Sequence, residues 1–241
     1  MRTLCGFRFV GILTLGMVLS LWAIALAAET SDNSDALPMF GQPKVARSPG
    51  QKQADEAFIR DNTLRFKTRQ AASSAFAAQG WTAVRAKQFD AAILRFNQAW
   101  LLNPKNYSAF WGFGAVLSER GRLLEAIEYL ETARELIDDP TQRPALLADL
   151  GNLHSEYAAR LSSDKQLERA QHFVMANSRF TESLENDPKF ASGWREWAIS
   201  LYDQERYSEA WVKAKRAREL NAEPFSPEFL KKLSAKMPEP K

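Results

Sequence analysis

One cysteine, Cys5, and two histidines, His154 and His172, are all that the 241 residues offer of the two side chains most used in metal and nucleophile chemistry. A lone thiol permits no internal disulfide and no cysteine metal cluster. The histidines fall in separate helical patterns without a cysteine partner, which argues against a zinc site. His154 occupies a core position of its segment and is expected to be a packed, hydrogen-bonded residue. A glycine-rich phosphate loop is also missing, since Gly112-x-Gly114 lies inside a helical pattern where glycine serves close packing. Charge of one sign is lacking too. Arg2 and Arg8 are the only charges in the first 27 residues, and beyond them 30 basic residues face 29 acidic ones. Such a balance gives no general attraction to nucleic acid. From Trp211 onward eight basic residues stand against four acidic. Membrane contact is therefore expected only through this basic end or the N-terminal leader. No catalytic residue, cofactor site or metal ligand set emerges, and the expectation is a protein that is not an enzyme.

Residues 1–27 read as an export signal. Arg2 and Arg8 precede an apolar run from Phe9 to Ala27, and Ala25-Leu26-Ala27 supplies a small-x-small cleavage site. That run approaches the length that spans a bilayer, so retention of residues 9–27 as an inner-membrane anchor is the alternative. The short Ala-x-Ala site points to a bacterial periplasm, or to secretion. Residues 28–51 carry Pro38, Pro43, Pro49, Gly41 and Gly50 among polar residues without periodicity, as in a flexible linker.

What is abundant is repetition. Phe76, Gly80, Ala92 and Ala99 recur as Phe110, Gly114, Ala126 and Ala133, each 34 residues on. A fixed period of that length marks helix–turn–helix units, each too small to bury its own apolar face. The units run 73–106, 107–140, 144–190 and 191–224. A capping helix is expected over 52–72, with Phe58, Ile59, Leu64 and Phe66 on one face, and another over 225–241, opened by Ser226-Pro227. Asn103-Pro104 and Asp187-Pro188 stop helices. The third unit is irregular: Gly151 to Ala176 is 25 residues where Gly114 to Ala126 is 12. The excess of 13 predicts two lengthened helices, with a hairpin spur at 160–175 turning at Ser162-Ser163-Asp164.

On these residues the chain resembles the tetratricopeptide repeat family, in which a bulky–small–bulky first helix packs on a second helix carrying spaced alanines. Gln79, where the family favours an apolar residue, is a departure. The resemblance covers about Ser73 to Ala222 and implies an all-α, right-handed superhelical solenoid of antiparallel helix pairs. It also implies a groove lined by the first helices that holds a peptide or helix of a protein partner. By position, the groove residues it implies are Trp81, Arg85, Asn106, Trp111, Ser118, Asn152, Ser155, Arg195 and Tyr202. The Lys/Asn clamp that grips C-terminal carboxylates in some members is absent. The expected function is a partner-holding module in the cell envelope. A scaffold that self-associates through the spur or its repeat edges is the alternative.

Overall fold

The computed structural model describes residues 47–240, and the leader and nearly all of the linker lie outside them. Among the described residues there are ten helices and no strand. They are α1 (Pro49–Phe66), α2 (Arg69–Arg85), α3 (Phe89–Leu102), α4 (Tyr107–Glu119), α5 (Leu123–Leu136), α6 (Arg143–Arg160), α7 (Gln166–Asn186), α8 (Ala191–Asp203), α9 (Tyr207–Glu219) and α10 (Pro227–Lys236). None of them is long and apolar enough to cross a membrane.

The helices pack as four successive pairs, α2/α3, α4/α5, α6/α7 and α8/α9. The small-residue positions explain the pairing. A Cβ on Gly80 would lie 2.5 Å from the Phe96 ring, and one on Gly114 would lie 2.0 Å from Leu130 Cδ1. Gly151 faces the Phe180 ring at 3.1 Å in the same way. Each glycine admits a bulky side chain from the second helix of its own pair, at a crossing where an added carbon would force that side chain to shift. Gly80 and Phe96 are 16 positions apart, as are Gly114 and Leu130, whereas Gly151 and Phe180 are 29 apart. The 13-residue excess therefore lies between the packing partners and leaves the crossing itself unchanged.

The extra residues lengthen both helices. α6 has 18 residues and α7 has 21, against 13 or 14 in α4, α5, α8 and α9. The turn changes as well. In the regular pairs one residue adopts a left-handed conformation between the helices: Lys87 at φ 57°, Gly121 at φ 74° and Glu205 at φ 60°. The third pair turns through 161–165 with no such residue. Between pairs, Asn103, Asp139 and Asp187 each accept the backbone N–H two residues on, closing the same side-chain turn around a proline.

Both ends of the stack are covered. Ser48 caps α1 in a reciprocal capping box with Gln51, so the helix begins inside the stretch expected to be linker. Phe58 and Phe66 of α1 pack on Phe76 at ring distances of 5.4 and 6.2 Å. Leu64, expected on that face, is instead 76% exposed. α1 ends at Phe66 and α2 begins at Arg69, because Thr68 accepts the Ala71 N–H and starts a new helix there. The first repeat helix thus starts before residue 73. At the far end Ser226 caps α10, and Leu233 is fully buried among Ala198, Leu201 and Trp211.

Candidate functional site

A cleft of about 940 Å³ runs along the first helices of the early pairs. Trp81, Arg85, Asn106 and Trp111 line it, with Ser74, Ser108 and Asp149. A second cleft of about 240 Å³ shares Trp111 and Asp149 and adds Ser118, Asn152, Glu119 and Glu156. The two indoles meet edge to face at 5.4 Å, and Trp81 also meets the buried Phe96 ring edge to face at 5.7 Å. Both are half-buried, so each ring has one side on the core and one on the cleft. Polar bonds fix their tips. The Trp81 indole donates to Ser108 Oγ at 2.9 Å, and the Trp111 indole donates to Asp149 Oδ2 at 2.8 Å.

The line continues to α8, where Glu196 accepts from Asn152 Nδ2 at 2.7 Å. Asp149 has its edge open to water yet sits deep in the concavity, and this enclosure pushes its carboxyl up to about 6 despite the opposing Trp111 bond. Glu196 is pushed up to about 7, first by burial and then by repulsion from Asp149, against smaller opposing contributions from Asn152 and Arg195. Asp149 and Glu196 occupy the same place in the repeat, two residues before the small position of the helix crossing (Gly151 and Ala198). Alignment of the repeats on those small residues was the signal for this pair. In the earlier repeats the same place holds Ala78 and Gly112.

A raised carboxyl favours the folded state only while protonated. The contribution of Glu196 is complete below the unfolded value near 4.5 and is lost as pH rises through about 7. Glu196→Gln keeps an oxygen for Asn152 and cannot ionise. It is expected to stabilise the protein by about 1–2 kcal/mol at pH 8, allowing for solvent screening, and by little at pH 5. Urea unfolding at both pH values checks this, and an equal difference at both would refute the raised carboxyl.

Asn106 touches the large cleft but is taken up by capping, and Ser155, Arg195 and Tyr202 line neither cleft. Asn106 is 6% exposed and serves the fold: its Oδ1 accepts the Ala109 N–H at 3.2 Å as the α4 cap, and its Nδ2 donates to Ser73 Oγ at 2.7 Å. Ser155 is buried at 5% and lines neither cleft. Arg195 places its guanidinium 5.6 Å from the Phe225 ring, with its Nε buried and without a hydrogen-bond partner. Tyr202 packs against Tyr207 and the Phe229 ring of α10, each at 5.6 Å. These last two turn toward the C-terminal segment because that segment caps the final pair.

The two histidines come together although they belong to different helices. His154 Nδ1 and His172 Nδ1 are 3.0 Å apart across the α6/α7 hairpin, so one ring donates and the other accepts. Burial and the neighbouring ring lower the His172 value. Beyond them, burial alone would raise Glu131, but His154, Arg134 and Arg179 gathered around it hold it down to about 2. Equal distance from the hairpin turn was the sequence signal for the pairing. No group of three or more metal-ligating side chains occurs among the described residues.

No family model and no curated protein matches the sequence. Among solved structures, the chain is similar to MamA at 16% identity and a TM-score of 0.49, over 73% of this chain and 96% of that one. It is also similar to YrrB, described as a TPR protein with an unusual peptide-binding site, at 17% identity and a TM-score of 0.34, over 76% and 98%. Both likenesses are remote, and the repeated packing within this chain carries the architecture: an all-α solenoid of tetratricopeptide-type helix pairs.

Proposed function

We propose that this protein is a non-catalytic interaction module that holds a peptide or helix of a partner protein in the cleft along α2, α4 and α6, acting in the bacterial periplasm in envelope assembly or maintenance. The paired indoles of Trp81 and Trp111, anchored at their tips and open on one face, carry this reading. Rigid aromatic faces beside hydrogen-bonding groups are the surface on which protein partners find binding energy. The export leader read in residues 1–27 supports the compartment.

The test uses the full chain as bait in an envelope extract, beside Ser74→Trp. Ser74 is exposed on the cleft wall, so an indole there fills the cleft without entering the core. A partner captured by the parent and lost by the variant, at unchanged melting temperature, is the expected result. A partner held equally by both would move the function away from the cleft.

One observation favours the alternative of a self-associating scaffold. On the outer part of α7, Leu167 is 75% exposed, and two turns on Val174 and Met175 are 66% and 38% exposed. Sedimentation of the full chain at rising concentration separates the two readings.

A further inference from the structure

We infer that the occupant of the cleft is a basic segment, which sets a lysine or arginine between Asp149 and Glu196 and an apolar side chain against the Trp81–Trp111 pair. This rests on the cleft being the binding surface, and it names the chemistry of what binds there.

The first ground is the shape of the charge. The two carboxylates project from successive first helices at one repeat position, and each is held by a single neutral donor, Trp111 and Asn152 respectively. Among the described residues neither forms an ion pair within 4.0 Å, although the Arg195 charge acts on Glu196 from farther off. Glu131 and Glu182, by contrast, are bridged by Arg179 at 2.9 and 3.3 Å. Asp149 thus lines both clefts without an ion-pair cation, and Glu196 adjoins the smaller cleft through its bond to Asn152.

The second ground is the rest of the lining. Glu135, Asp138 and Asp139 close one end of the large cleft, against Arg85 and Lys105 as its two cations. The smaller cleft adds Glu119, and also Glu156, which Arg160 from outside the lining already bridges. An acidic segment would be repelled here, whereas a basic one finds complementary charge along its length. The third ground is the ring beside the acids. Trp111 lines both clefts and donates its N–H to Asp149, so a segment whose cation meets that carboxylate also runs beside an apolar ring. Enclosure holds both acids above their ordinary range, with repulsion from Asp149 added at Glu196, and an arriving cation relieves both effects.

A library of random dodecapeptides displayed on phage, selected on the full chain, tests this directly. Each recovered peptide is then measured against the parent, Ser74→Trp and Asp149→Asn/Glu196→Gln. The amides keep the shape and the donors' acceptors, and far-ultraviolet circular dichroism with melting confirms the fold of each variant. The expected result is that peptides lost on Ser74→Trp are enriched in lysine or arginine. They should weaken at least ten-fold on the double amide at low salt, and by less at 0.5 M salt. Peptides that need the open cleft but bind the double amide as well as the parent would overturn the basic segment and leave the cleft reading intact. Peptides that ignore Ser74→Trp would overturn both.

Discussion

Replacing Gly114 by leucine is expected to cost about 3 kcal/mol or more, and to unfold the repeats at temperatures where the parent is intact. The first added carbon already falls 2.0 Å from Leu130 Cδ1 and 3.0 Å from the backbone oxygen of Ala126. The leucine tip can rotate away, but the carbonyl cannot move unless α5 moves. Gly114→Ala should therefore be tolerated at a smaller cost, about 1–2 kcal/mol, with Leu130 shifting its rotamer. Three further carbons leave no such route, because Phe113, Val116 and Leu117 around the site are fully buried. Thermal unfolding of parent, alanine and leucine variants gives the comparison. Equal melting temperatures for all three would refute the crossing described here.

Phe96→Ala is expected to destabilise by about 3–5 kcal/mol. Its ring is fully buried and lies between two helices of different pairs. A Cβ on Gly80 of α2 would come within 2.5 Å of it, and one on Gly112 of α4 within 2.1 Å. Trp81 and Phe113 meet the same ring edge to face at 5.7 and 5.8 Å. Truncation empties the junction between the first two repeats and removes the floor beneath one cleft indole. The loss should therefore appear twice, in unfolding free energy and in binding by the cleft. A double cycle sharpens the claim. Gly112→Ala should be costly in the parent and nearly free when Phe96 is already alanine, since the clash is with that ring. Additive costs would show that the ring is not the obstacle.

The repeats were legible in the sequence because their cause is local and periodic. Phe76, Gly80, Ala92 and Ala99 mark a crossing that must recur wherever the same two helices meet, and a 34-residue echo exposes it. The longer third pair was legible for the same reason, since its crossing residues are present and only their separation changes. Arg195 and Tyr202 are a different matter. Their place in the repeat puts them on a first helix, but whether that surface stays open depends on the segment that follows. Phe225 and Phe229 come back over it. Asn106 carried a helix-cap signature, a short polar residue before an apolar run, which competes with any role at the surface. Asp149 and Glu196 are 47 positions apart and look like solvated acids singly. Only the stacking of α6 against α8 makes them neighbours in charge. Leu64 shows the reverse error: a large apolar residue in helical register that the end helix leaves in water.

A chain of contacts runs through all four pairs, from Trp81 in the first to Trp111 in the second, Asp149 and Asn152 in the third and Glu196 in the fourth. In a solenoid each unit touches only its neighbours, so the rotation from one unit to the next sets every spacing along that line. The site therefore behaves as a ruler whose graduations are cut by the pitch of the stack. A change deep at one helix crossing, far from any occupant, alters the distance between stations and with it the length of segment that fits.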